Sequence, residues 1–342
     1  MEDNINNIIS NALLVKKGLL NCAVITSIIE QIRKDFEINR DIIKQANEID
    51  RSNNNGFILD FKIIENIFLN LEKEKIIYGD VISSQKDDSL KIIYGKQIMF
   101  IGNVVVINDG NSYVIIEMIL RNIMAGNTTI LSNDGFMYGT NKLIIEIIQA
   151  ILEQFSISKY LIQIYITDSF DELLSNFANI DLVVCIGNRD LQNLILNKSK
   201  VKTIVSGYDN YDLYIEDATY IDFLDKIINT GLNIEVYINK TVNLNYDNAI
   251  LVDDMDEAIA QINYAGSKYS SAIFTTSSEN ASKFIREVKS QMVTINTSPT
   301  IERLIDIKQT DLIIEKTIIY PNNFNLDGSR IEFGIIKKDD YE

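Results

Sequence analysis

Residues 104–131 read V-V-V-I-N-D-G-N-S-Y-V-I-I-E-M-I-L-R-N-I-M-A-G-N-T-T-I-L. Four β-branched apolar residues, Val104–Ile107, predict a buried strand. Asn108-Asp109-Gly110-Asn111 carries turn chemistry. Residues 113–125 hold an apolar pattern at helical spacing, and Gly126-Asn127 supplies a helix stop, because glycine accepts positive φ just past a helix end. Thr128–Leu131 then reads as a second strand. A strand, a helix and a second strand joined this tightly make a βαβ unit, which is the seed of a parallel sheet.

The same alternation runs on from there. Residues 138–155 read as helix, Ile162–Ile166 as strand, Asp168–Asn176 as helix and Asp181–Ile186 as strand. Leu191–Leu196 reads as helix and Thr203–Val205 as strand. A second stretch follows, with strands at Glu235–Val242, Ala249–Val252, Ser271–Thr275 and Met292–Ile295 and helices at Asp256–Ala265, stopped by Gly266, and Asn280–Val288. Upstream, 3–35 reads as one helical stretch, 36–50 as another with Asp41 as its cap, and Asp60–Lys73 as a third. Ile76–Ile82, Ser89–Tyr94 and Gln97–Ile101 read as short strands, the first two split by Lys86-Asp87-Asp88. Leu312–Ile319 and Ile331–Ile336 read as late strands.

Composition narrows the chemistry. The 342 residues suffice for two domains, and 46% hydrophobic content fills a sizeable core. A formal charge of −16 argues against nucleic-acid and anionic-membrane surfaces, which need clustered positive charge. The chain has no His, which excludes His-dependent nucleophilic catalysis and His-ligated zinc. Its two cysteines, Cys22 and Cys185, cannot form a four-thiolate site and suit a reducing cytosol. No leader and no uncharged run of membrane-spanning length is visible, so a cytoplasmic protein is expected. Asp253, Asp254, Asp256 and Glu257 read as an acidic helix start, and no metal site is expected. Tyr208, Tyr211, Tyr214 and Tyr220 read as a cluster around a turn.

Five stretches in order resemble the aldehyde dehydrogenase superfamily, and within it the gamma-glutamyl phosphate reductase family. They are 44–56 (K-Q-A-N-E-I-D-R-S-N-N-N-G), 123–131 (I-M-A-G-N-T-T-I-L), 180–191 (I-D-L-V-V-C-I-G-N-R-D-L), 207–217 (G-Y-D-N-Y-D-L-Y-I-E-D) and 252–274 (V-D-D-M-D-E-A-I-A-Q-I-N-Y-A-G-S-K-Y-S-S-A-I-F). The resemblance implies a doubly wound parallel sheet that binds a dinucleotide, a second α/β domain that is catalytic, and a β extension that mediates oligomerisation. The implied segments are N-terminal helices at 1–75, a β extension at 76–101, the dinucleotide-binding-like domain at 102–228, a reduced catalytic-like domain at 229–300, and a C-terminal β extension at 301–342. The family's chemistry is attack by a Cys thiolate on an acyl phosphate or aldehyde, with hydride exchanged with a nicotinamide.

Here the chain departs from the family's pattern. The catalytic Cys falls at Val236 or Tyr237, neither of which is a nucleophile at neutral pH. The superfamily's general-base Glu falls at Val205. The Asn of its Arg-Pro-Asn falls at Tyr113, or at Asn111 if a gap is allowed. Its Arg-Gly-Gly is Ser132-Asn133-Asp134, and its second glycine-rich turn keeps Gly187 but continues with Asn188. Only a short stretch separates Tyr237 from the strand at 249–252, where the family is longer. Cys185 ends a strand in the cofactor-side turn and reads as a packed thiol. The expectation is an inactive aldehyde-dehydrogenase-like protein that serves as an assembly or regulatory partner. The alternatives are an NAD(P)H-dependent oxidoreductase acting on an aldehyde or acyl phosphate, and a nucleotide-binding module without redox chemistry. No cofactor is expected. If one binds, it is NADP or NAD, at the degenerate positions Ser132, Gly187 and Asn188. A homo-oligomer, most simply a dimer, is expected, with a protein partner possible and neither nucleic acid nor membrane.

Overall fold

A computed structural model describes residues 4–15, 22–53, 55–74, 81–87, 92–167, 169–207, 211–217, 219, 234–242, 246, 249–265, 269–299, 307–321, 325–326 and 329–330. The chain forms two compact units. One holds Met1–Cys185, Ile195–Ile204 and Ile307–Glu342; the other holds Ile186–Leu194 and Val205–Asp306.

In the first unit, helices α1 (Ile5–Leu14), α2 (Cys22–Ile38), α3 (Arg40–Ser52) and α4 (Phe61–Glu72) precede the strands. Asp60 caps α4 by accepting from Lys62 N at 2.8 Å. The expected single helix over 3–35 is interrupted, since α1 ends at Leu14 and Val15 is extended; residues 16–21 lie outside the described residues. Asp41 is not the cap of α3. It sits inside the first turn behind Asn39, where its charge favours the helix dipole.

The parallel sheet is built from β3 (Asn103–Asn108), β4 (Thr128–Asn133), β5 (Ile162–Ile166), β6 (Leu182–Ile186) and β7 (Thr203–Ser206) in the order β5-β4-β3-β6-β7. Helices α5 (Ser112–Ala125), α6 (Tyr138–Gln154), α7 (Asp171–Ser175) and α8 (Arg189–Lys198) alternate with these strands. Every residue of α5 is buried. Its apolar residues run around the whole cylinder, and its polar ones are answered: Arg121 pairs with Glu117 at 2.8 Å and with Glu74 at 2.9 Å. Gly126 closes α5 at φ 74°, as the glycine stop required.

The other unit repeats this strand order. Its strands β8 (Tyr211–Ile215), β9 (Ile234–Asn239), β10 (Ile250–Val252), β11 (Ser270–Phe274) and β12 (Met292–Ile295) lie as β10-β9-β8-β11-β12, every neighbouring pair parallel. Helices α9 (Met255–Ala265) and α10 (Ser278–Glu287) cover one face. The tyrosine cluster is not a turn. Tyr211 and Tyr214 stand on β8, the central strand, and both are buried; a charged Asp212 between them hid the strand from an apolar-run reading. Tyr208, Tyr220 and Gly266 lie outside the described residues.

A three-stranded antiparallel sheet, β1-β2-β13, belongs to the first unit: β1 (Val81–Asp87), β2 (Ile92–Phe100) and β13 (Ile313–Pro321). The expected split at Lys86-Asp87-Asp88 is corrected in its place: Lys86 and Asp87 stay in the ladder opposite Ile93 and Ile92, and Asp88 lies outside the described residues. Backbone pairing there continues regardless of side-chain polarity. Ser89–Tyr94 and Gln97–Ile101 are likewise parts of one strand as far as they are described. The expected strands at 76–80 and 331–336 lie outside the described residues. β13 pairs with β2 of its own chain, from Ile313 opposite Phe100 to Pro321 opposite Ile92. Asn127 anchors its start, donating to Leu312 O at 2.8 Å while accepting from Ile101 N and Gly102 N. Two short strands, β14 (Asn325–Leu326) and β15 (Ser329–Arg330), follow it and pair with each other. Among the described residues, no helix is long and apolar enough to cross a membrane.

Candidate functional site

In open parallel sheets, ligands bind beyond the carboxyl ends of the strands, and helix N-termini there present amide donors to anions. In this chain those ends carry three built turns. After β3, Asn108 Oδ1 accepts from Gly110 N at 2.7 Å, and Asn111 caps α5 through Tyr113 N at 3.0 Å. Gly110 has φ +83°, and a Cβ there would stand 2.4 Å from Phe136 O, so only glycine fits. Asn141 of α6 donates to Gly110 O at 2.7 Å and to Phe136 O at 3.1 Å, and accepts from the Ser112 hydroxyl at 2.5 Å.

Near the end of β4 stands Ser132, fully buried, with an Oγ that has no hydrogen-bond partner among the described residues. Asn133 Oδ1 accepts from Gly135 N at 2.8 Å and Asp134 Oδ1 from Phe136 N at 3.1 Å. The start of α6 is capped from another element. The Asp50 carboxylate, on α3, accepts from Gly139 N at 3.2 Å, Thr140 N at 2.8 Å and the Thr140 hydroxyl at 2.6 Å. An acidic side chain therefore occupies the positive end of this helix dipole, a place that helix N-termini can otherwise offer to an anion.

After β6, Gly187 N donates to Ser206 O at 3.2 Å, and Gly187 O accepts from Gln192 Nε2 at 2.7 Å. Asn188 Oδ1 accepts from Leu191 N at 2.8 Å, so the side chain of Asn188 caps α8. A Cβ at Gly187 would meet Leu191 Cδ2 at 2.8 Å; this glycine's open side is filled by its own helix. Ser132 and Gly187 thus close or follow strands on either side of β3, while Asn188 serves its own helix.

The position where the resemblance implies the nucleophile is packed, and Val205, where it implies the general base, is exposed. Val236 and Tyr237 lie on β9, each 1% exposed, with the Tyr237 hydroxyl donating to Glu235 Oε2 at 2.9 Å. Burial, followed by the hydrogen bond to Glu235, raises the Tyr237 phenol still further from the anionic form. Cys185 is fully buried on β6, and burial pushes its thiol up to about 12. A thiol in that state is not a nucleophile at neutral pH. Val205, on β7, carries no titratable group. Tyr113 is held as a structural residue: its OH accepts from Asp60 N at 2.6 Å, its ring stacks on Phe57, and burial pushes its phenol up to about 12.

Comparison with known proteins places this architecture. No family profile matches the chain. Gamma-glutamyl phosphate reductase of Dictyoglomus thermophilum is 24% identical over 82% of this chain and 84% of the relative. That of Pasteurella multocida is 26% identical over 58% of this chain and 61% of the relative. The crystal structure of gamma-glutamyl phosphate reductase from Thermotoga maritima superposes with a TM-score of 0.65 at 17% identity, over 95% of this chain and all of that one. Betaine aldehyde dehydrogenase from Staphylococcus aureus, in complex with NAD+, gives 0.73 at 11% identity, over 95% and 91%. The chain has the aldehyde dehydrogenase fold. In sequence it is similar to gamma-glutamyl phosphate reductases.

A nicotinamide dinucleotide is what the aldehyde dehydrogenase fold implies, and the turns described do not fit its pyrophosphate. The α6 terminus is held by a carboxylate, Leu191 N of α8 is taken by Asn188, and Gly110 and Gly187 face their own chain. The role of Asp50 had a signal in the sequence. Together with Asn47, which bonds Phe57 O and Leu59 N at 2.9 Å each, it forms the N-E-I-D part of the 44–56 stretch. Sequence reasoning named that stretch without giving either residue work. A second omission is Asp212, whose environment only the packed sheet reveals.

Proposed function

We propose that this aldehyde-dehydrogenase-fold protein does no aldehyde or acyl-phosphate chemistry and acts in the cytoplasm as an assembly or regulatory partner, most simply as a homodimer. The observation that carries the reading is β9. At the position of the resembled family's thiolate it has Val236 and a buried Tyr237 whose proton is committed to Glu235. Neither cysteine stands on β9: Cys185 is sealed in β6, and Cys22 opens α2 in the first unit. The capped helix starts at α6 and α8 argue in the same direction, against a bound dinucleotide at Ser132, Gly187 and Asn188.

The test is turnover. Purified protein is assayed for reduction of gamma-glutamyl phosphate and for oxidation of its semialdehyde and of simple aldehydes, with NADH, NADPH and their oxidised forms. No turnover is expected. Turnover that is lost in Cys185→Ala would overturn the proposal.

A second reading is kept because the similarity to reductases spans 82% of the chain. It is an NAD(P)H-dependent oxidoreductase, or a nucleotide-binding module, using an arrangement of its own. Calorimetric titration with NADPH and NADH separates the two readings. The proposal expects no binding tighter than about 10 μM, near −7 kcal/mol.

A further inference from the structure

The parallel register of the second sheet lines up three polar side chains. Asp212 on β8 stands opposite Ser271 on β11 and Glu235 on β9, so all three lie in one row. Alternation puts that row on the face of Tyr214, Tyr237 and Ile273, which packs against Ile259 and Ile262 of α9 and Phe284 of α10. Asp212 is 0% exposed. Its Oδ2 accepts from the Ser271 hydroxyl at 3.3 Å, and Ser271 Oγ is 2.5 Å from Ser290 Oγ. Its Oδ1 has no hydrogen-bond partner among the described residues. Glu235, half-buried, is close enough for its charge to oppose that of Asp212.

Two neighbouring carboxylates, one sealed from water, need a positive partner, because an uncompensated buried charge is among the costliest groups to keep. No Lys or Arg pairs with Asp212 among the described residues. The oxygens at hand are two carboxylates and two hydroxyls. Imidazole and thiolate ligands are missing from this unit's described residues, since the chain has no His and its cysteines lie in the other unit. Oxygen donors of this kind select hard cations, and two negative charges match a double positive one. We infer that Asp212, Glu235, Ser271 and Ser290 form a binding site for one divalent cation of the Ca2+ or Mg2+ class. Half-buried Glu235 is the route of entry. The inference is independent of the proposed function, since the site lies on the sheet's own helix-covered face and uses none of the dinucleotide turns.

The probe is Tb3+, which occupies Ca2+ sites and is lit by a nearby tyrosine. The chain has no Trp, and Tyr237 touches Glu235 directly. The full chain, stripped with chelator, is titrated with Tb3+ under tyrosine excitation and then with Ca2+ or Mg2+. Saturable emission that either cation displaces is expected. Asp212→Asn and Glu235→Gln should each weaken binding about tenfold or more, as losing one charged ligand does. Ca2+ should raise Tm in the native chain and leave Glu235→Gln unmoved. If Asp212→Asn does not fold, Glu235→Gln and Ser290→Ala give the same reading. The inference is overturned if emission is not displaced, if both carboxylate variants keep native binding, which marks diffuse attraction to an acidic surface, or if stability responds to pH and to no cation, which makes a proton the sole occupant.

Discussion

Asp212 shows how one residue can set the response of a whole unit to pH. Burial, then the charge of Glu235, raises its carboxyl from 3.8 to about 7. The unfolded chain loses that proton near the ordinary value, while the folded chain keeps it. Between roughly pH 4 and 7 the unfolded state therefore binds fewer protons, and stability falls as pH rises. The contribution is fully present below the unfolded value and is gone above about 7; a shift of this size corresponds to a few kcal/mol, on the order of 1.4 per unit. In chelator, Asp212→Asn should flatten this fall and gain on the native chain above pH 7. Urea midpoints across pH check it, and an unchanged slope in the variant would sink the assignment. Cys185 belongs to the same scale with a different outcome. Its burial silences a thiol, and the cost is small because a neutral thiol is at home in a core.

Among the elements, the Asp50 side chain bridges α3 to the start of α6. Asp50 answers two amides and one hydroxyl at the start of α6. Asp50→Ala leaves those buried donors without a partner and should destabilise the first unit by about 2–4 kcal/mol, combining a lost cap with unsatisfied groups. Asp50→Asn, which keeps one acceptor oxygen, should cost less; equal losses in chemical denaturation would show that the cap's hydrogen bonds are not what matters. The turn after β3 is similarly intolerant. Gly110→Ala combines a positive φ with a Cβ pressed on Phe136 O, and should destabilise by more than the about 1 kcal/mol that a compatible glycine replacement gains, read as a lower Tm. Both elements were visible in the sequence as helix starts and turns. Their partners were not, because Asp50 and Thr140 lie far apart in the chain and meet only when α3 packs on α6.

For the whole molecule, the antiparallel sheet is the element that favours assembly. β13 satisfies one side of β2 and β1 the other, so the expected exposed extension is paired internally along β2. Among the described residues, the outer edges of β1 and β13 are the sheet's rims, and β13 bears exposed Ile314 and Ile319. Unpaired rims of this kind pair readily with another chain, and a two-fold arrangement lets each copy cover the other. Light scattering at micromolar concentration should give twice the chain mass. A monomer unchanged on concentration would remove the structural support for an assembly role.

The sequence by itself determined the strand–helix alternation of both units, the glycine stop at Gly126, the strands at Ile162–Ile166 and Met292–Ile295, and the absence of a nucleophile at Val236 and Tyr237. These are local matters: period, turn chemistry and residue identity are written in neighbouring positions. Only the tertiary structure decided that Tyr211–Ile215 is a central strand, that β13 pairs within its chain, that Asp50 holds the start of α6, and that Asp212 is sealed beside Glu235. Each of those depends on residues distant in the chain being brought into register. The energy of a carboxylate is set by what surrounds it in space, and Asp50 and Asp212, the same residue type, become a helix cap and a buried acid for that reason alone.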